Sequence, residues 1–119
     1  AGLNFPGNAF YGHEKSGMDN IAPFELIPWI LRQCETVEQA RVQLGRLNVI
    51  HEDFSKDLPV SPLHWIIADG DREIVLEAVK EGVKIYDDPV GVLTNNPPFL
   101  QLSKMFKEKI LIFLRKQLL

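Results

Sequence analysis

At Leu63 the spacing of apolar residues switches from a helical period to a period of two. That switch limits the chain to folds in which helices cover an antiparallel sheet. Leu63, Trp65 and Ile67 alternate with His64, Ile66 and Ala68, and Asp69-Gly70 then supplies a turn signal before Ile74 to Val79. Gly82 separates that segment from Val83 to Tyr86, and Val90 to Thr94 forms a last short apolar stretch after Pro89. The pattern predicts an antiparallel meander.

Upstream, Gly2, Pro6, Gly7, Gly12 and Gly17 punctuate the chain, which predicts a short strand around Leu3 to Phe5 and a loop reaching about Asp19. Asn20 is placed to cap a helix through Phe24, Ile27, Trp29, Ile30 and Leu31, with Pro23 in its first turn and a kink expected at Pro28. Thr36-Val-Glu-Gln39 matches a capping box, and Val37, Ala40, Leu44 and Leu47 recur along one helical face. Asn48 to Pro62 has no steady period and reads as a connecting loop. The expected class is α+β, with two helices stacked on one face of the sheet.

The tail differs chemically from the rest. Residues 1–102 hold 8 Lys and Arg against 15 Asp and Glu, whereas residues 103–119 hold 5 against 1. Ser103 is placed to cap a basic amphipathic helix with Phe106, Ile110, Phe113 and Leu114 on its apolar face. Docking of this helix on its own sheet is the favoured reading, ahead of a membrane surface or a partner's groove. The division is therefore residues 1–102 and a tail of residues 103–119.

A formal charge of −3 argues against nucleic acid as the main partner, because phosphate binding needs clustered Lys and Arg. The single cysteine, Cys34, forms no internal disulfide, and the first eight residues lack the basic and apolar regions of a signal peptide, so a cytoplasmic location is expected. The longest apolar run, Ile110 to Leu114, is too short to cross a bilayer.

Cys34 with His64 is the thiol and imidazole combination worth weighing, but Cys34 falls at a predicted helix end, where a buried, inert thiol is the simpler state. His13, His51 and His64 are too scattered for a metal site, and the glycines do not follow a phosphate-loop spacing, so no metal or cofactor is expected. Two asparagines remain, Asn4 and Asn95. An asparagine N–H held in a dry site stabilises an oxyanion, and losing one such donor costs roughly 3 kcal/mol of barrier. Read without further context, Asn95-Asn96-Pro97-Pro98 is simply a chain reversal.

Four runs carry a resemblance over Ala1 to Phe99: Ala1-Gly-Leu-Asn-Phe-Pro6, Asn20-Ile-Ala-Pro-Phe-Glu-Leu-Ile-Pro-Trp29, Ser61-Pro-Leu-His-Trp65 and Gly91-Val-Leu-Thr-Asn-Asn-Pro-Pro-Phe99. With these the sequence resembles the choloylglycine hydrolase family, the bile salt hydrolases and related penicillin V acylases. The resemblance implies the N-terminal nucleophile hydrolase fold, an αββα sandwich. It also implies a reaction, in which an N-terminal cysteine thiolate attacks the amide joining a bile acid to glycine or taurine and water later releases the acid from a thioester. Asn4 falls on the family's oxyanion-hole position and Asn95 on its second active-site asparagine. The first-strand loop lines the family's substrate pocket, which implies Phe10 and Tyr11 as steroid contacts. In penicillin-preferring relatives tyrosine usually stands at the position of Asn4, so asparagine here leans toward conjugated bile salts. The family's assembly as homotetramers implies a homo-oligomer for an intact enzyme.

The family's nucleophilic cysteine falls before Ala1, and after Phe99 the chain reads Leu-Gln-Leu-Ser-Lys-Met-Phe-Lys-Glu-Lys, unlike the family. The expectation is an enzyme segment, inactive alone, produced by a frameshift, a truncated gene or a remodelled terminus. The alternatives are a penicillin V acylase-like segment and a non-catalytic remnant or interaction module.

Overall fold

The computed structural model describes residues 1–4, 7–88, 99, 101, 104 and 105. Its elements run β1 (Gly2–Leu3), β2 (Asp19–Ile21), a 3-10 turn (Pro23–Glu25), α1 (Leu26–Leu31), α2 (Val37–Leu44), β3 (Leu47–Val49), β4 (Leu63–Ala68), β5 (Glu73–Val79) and β6 (Gly82–Asp87). A four-stranded sheet in the order β1-β4-β5-β6 is antiparallel throughout, as the alternation from Leu63 predicts. A separate pair, β2 with β3, is parallel.

Register places Trp65 opposite Leu76 and Leu76 opposite Ile85, so Trp65, Ile67, Ile74, Leu76, Ala78, Val83 and Ile85 share one face. Against that face pack Leu26 and Ile30 of α1 and Val37, Ala40 and Leu44 of α2, in one continuous core. Burying a side chain of this size stabilises the fold by about 1.5–3 kcal/mol. The strand β5 is buried on both faces: Ile74, Leu76 and Ala78 toward the helices, Val75 and Glu77 away from them. Its nearly unbroken apolar run suits a strand covered on two sides.

The turn between β4 and β5 does double work. Asp69 Oδ1 accepts from the N–H groups of Asp71 and Arg72, at 2.8 and 2.9 Å, closing the turn. Its Oδ2 accepts from Val37 N–H at 2.8 Å, so the turn also satisfies a first-turn donor of α2. Thr36 Oγ1 caps the same helix by accepting from Gln39 N–H at 3.1 Å. Gln39 Oε1 reaches back one residue further than a standard capping box, to Glu35 N–H at 2.7 Å.

Two expectations are corrected. Asn20 does not cap a helix; it lies in β2, and the helical segment starts at Pro23 after Ala22, whose N–H donates to Glu25 Oε2. Pro28 sits in the first turn of α1, where the N–H that proline lacks has no partner within that helix. The segment read as a loop from Asn48 begins inside β3, and Leu47 belongs to that strand instead of α2. All three β3 residues are buried, so no alternation marks them. The expected strand at Val90 to Thr94, the cap at Ser103 and the helical face from Phe106 to Leu114 lie outside the described residues. Among the described residues no helix is long and apolar enough to cross a membrane.

Candidate active site

The end of the sheet where β1 stops, β4 starts and β5 stops gathers three of the residues singled out from the sequence. Asn4 continues the β1–β4 ladder by donating its N–H to the Pro62 carbonyl at 2.8 Å. Its side chain is 4% exposed, and Asn8 Nδ2 donates to Asn4 Oδ1 at 3.4 Å. An amide whose oxygen accepts in this way has its NH2 as the donor end.

One residue either side of Pro62, the Tyr11 hydroxyl bridges the main chain: it donates to the Ser61 carbonyl at 2.9 Å and accepts from Leu63 N–H at 2.7 Å. Asn4 and Tyr11 thus hold the same tripeptide from two sides. Burial pushes the Tyr11 phenol above its ordinary range, against a smaller opposing effect of the Leu63 hydrogen bond. Phe10 is tied to the neighbouring strand by its N–H, which donates to the Ala78 carbonyl at 2.8 Å. Its ring is half exposed and lines a small cavity with Gly12, Lys15, Asn48 and Val79.

A groove of about 210 Å³ runs beside this end, lined by Pro23, Phe24, Phe54, Leu58, Pro59, Val60 and Leu63 among others. Phe24 and Phe54 meet edge to face at 5.2 Å and 87°, and both are exposed, as is Leu58. The volume is below the usual range for a whole drug-sized ligand, about 300–1,000 Å³, so the groove suits one apolar part of a molecule. Sequence reasoning passed over it, because Phe54 and Leu58 are isolated apolar residues in a charged loop. The available signal was their presence there at all.

Asn95 lies outside the described residues. Phe99, four positions on, is 3% exposed, with its N–H donating to Glu77 Oε1 at 3.0 Å and its ring tilted against Tyr86 at 5.4 Å. Glu77 and Tyr86 alternate with the helix-facing residues, so Phe99 is attached to the opposite face of the sheet. Gly2 and His64 pair across that same face, and a Cβ at Gly2 would stand 3.5 Å from His64 Nε2. Asn4 follows Gly2 by two, and its N–H bond to the Pro62 carbonyl continues the β1–β4 register, so alternation assigns it the same side.

Cys34 and His64 are kept apart by the sheet. Cys34 packs against the helix-side core, whereas His64 alternates with Trp65 and points the other way. Burial raises the Cys34 thiol and lowers the His64 imidazole. A raised thiol and a distant imidazole make no activated nucleophile. Among the described residues no three His, Cys, Asp or Glu side chains are grouped to hold a metal ion.

Residues 1–110 match the family described as linear amide C–N hydrolases, choloylglycine hydrolase family. The chain belongs to that family. Among curated choloylglycine hydrolases it is 54% identical over 99 residues to the bile salt hydrolase/transferase of Lactiplantibacillus plantarum, covering 83% of this chain and 31% of that one. It is 41% identical over 101 residues to the conjugated bile acid hydrolase of Lactobacillus acidophilus, covering 83% and 32%. The chain therefore spans about a third of the length of the curated relatives it matches. Its fold superposes on the crystal structure of a variant of the conjugated bile acid hydrolase from Clostridium perfringens with a TM-score of 0.84, at 32% identity, covering 91% of this chain and 34% of that one. The two helices on an antiparallel sheet are thus part of the N-terminal nucleophile hydrolase architecture.

Proposed function

We propose that this chain is a segment of a conjugated bile salt hydrolase, which cleaves the amide between a bile acid and glycine or taurine. In this reading Asn4 donates to the substrate carbonyl oxygen as it gains charge, and Asn95 is a second donor to the same oxygen. Phe10 and Tyr11 stand beside the steroid, and the Phe24, Phe54 and Leu58 groove takes an apolar part of it. Residues 1–119 supply the donors and the walls of the site, since their one thiol, Cys34, faces the helix-side core. The chain alone is then inactive. Chemistry needs a thiolate nucleophile in addition, because substituting donors without a nucleophile stabilises an intermediate that never forms.

The observation that carries the reading is the buried Asn4 side chain, its oxygen engaged by Asn8 and its main chain fixed to Pro62, in a chain 54% identical to a bile salt hydrolase/transferase. The test is a chimera in which residues 1–99 replace the matching stretch of the Lactiplantibacillus plantarum relative. The chimera is expected to release glycine or taurine from conjugated bile salts. Asn4→Ala in it should lower kcat by about 10²–10³ with KM little changed, as expected for a donor used in the transition state. A folded but inert chimera, or a kcat indifferent to Asn4→Ala, would sink the reading, as would turnover by the 119-residue chain on its own.

A further inference from the structure

The central strand β5 carries one acidic residue into a buried position. Glu77 is 2% exposed and lies on the sheet face opposite the helices. Its Oε1 accepts from Phe99 N–H at 3.0 Å, while Oε2 has no hydrogen-bond partner among the described residues. Burying a carboxylate with only part of its capacity satisfied is unfavourable, and an apolar residue at this position would avoid the cost. A compensating role is needed to account for it.

The surroundings define that role. In register beside Glu77 stand His64 of β4 and Lys84 of β6, with Tyr86 next along β6 on the same face. Among the described residues the carboxylate accepts from the main chain at Phe99 and from none of these side chains. Phe99 closes the Gly91–Phe99 run, and its ring against Tyr86 forms a second, aromatic attachment to the same place. On this face, two strands across, β1 leads into Asn4.

We propose that Glu77 is a positioning residue: its carboxylate fastens the main chain at Phe99 to the sheet face that carries Asn4. Its meaning for catalysis rests on the amide-hydrolase reading above, whereas the clamp itself rests on the Glu77–Phe99 bond. A carboxylate is the stronger choice for this task, because hydrogen bonds to a charged acceptor are shorter and hold more firmly than neutral ones. Release of Phe99 would leave the buried carboxylate without that hydrogen bond, so attachment and burial enforce each other. Burial also lifts the Glu77 carboxyl above the usual carboxylate range, opposed in part by the Phe99 bond.

The test reads amide exchange and chemical shift by NMR in the 119-residue chain. Glu77→Leu should speed exchange at Phe99 by about tenfold or more while Leu76, in the centre of β5, stays protected. Glu77→Gln, which keeps an acceptor oxygen, should restore protection at Phe99. In the wild type the Phe99 amide resonance should move with pH as Glu77 titrates, and in Glu77→Gln it should not. If Glu77→Leu fails to fold, the glutamine variant and its pH response decide the matter. The clamp is overturned by Phe99 protection that is indifferent to Glu77→Leu, by loss at Phe99 and Leu76 together, or by a resonance that titrates equally in Glu77→Gln. Failure of the hydrolase reading would instead show in the turnover of the chimera, with Phe99 exchange unaffected.

Discussion

The side-chain amide of Asn48 donates to the side-chain oxygen of Asn20 at 2.8 Å, directly across the parallel β2–β3 pair. From that contact the two asparagines hold the loop that follows Tyr11. Asn48 Nδ2 also donates to the His13 carbonyl at 2.8 Å, and Asn20 Oδ1 accepts from Lys15 N–H at 2.9 Å. Asn20 Nδ2 donates in turn to the Lys15 carbonyl at 3.0 Å.

Replacing Asn48 by alanine removes the shared donor and leaves the His13 carbonyl without it. Asn48 is 7% exposed, so water does not freely substitute. The expected loss is about 1–3 kcal/mol, seen as a lower urea midpoint at unchanged slope. Trypsin cleavage after Lys15 should accelerate in parallel. An unchanged midpoint would show that the loop is held by something else.

Tyr11→Phe keeps the ring and deletes the hydroxyl between Ser61 and Leu63. The Leu63 N–H then loses its acceptor at the first residue of β4. Destabilisation of about 1–3 kcal/mol is expected, measurable by chemical denaturation. In the chimera described above the same change should raise KM more than it lowers kcat, since the hydroxyl shapes the walls and not the reacting atoms. A loss confined to kcat would place Tyr11 at the chemistry instead.

Acid sensitivity should report on Asp69. Hydrogen bonds from the main chain of Val37, and then of Asp71 and Arg72, hold its carboxyl below the usual range. A carboxylate with a depressed folded-state pKa contributes stability that is full above its unfolded pKa and lost as pH falls through the folded value. Asp69→Ala should therefore lower Tm at neutral pH and flatten the decline of Tm on the acid side. Melting curves of both proteins across the acid range check this, and parallel declines would refute it.

How legible the fold was depended on how local each determinant is. The alternation from Leu63 and the Asp69-Gly70 turn are properties of neighbouring residues, and β4, β5 and β6 follow from them. Thr36 caps α2 for the same reason. By contrast, Asn20 carries the features of a helix cap in sequence, yet its side chain is taken up by Lys15 and Asn48, the latter distant in the chain. The strand β3 was invisible because its residues are buried on every side and so leave no period.

The sequence by itself determined the class of the fold, the alternation of the meander and, through its four characteristic runs, the family. Only the tertiary structure decided which side of the sheet each group occupies. That assignment puts Cys34 and His64 on opposite faces, brings Asn4 and Tyr11 to one tripeptide, and sets Glu77 under Phe99. The physical reason is register. A pairing shift of one residue would exchange the two faces of a strand, and register is fixed by long-range packing, which no local pattern contains.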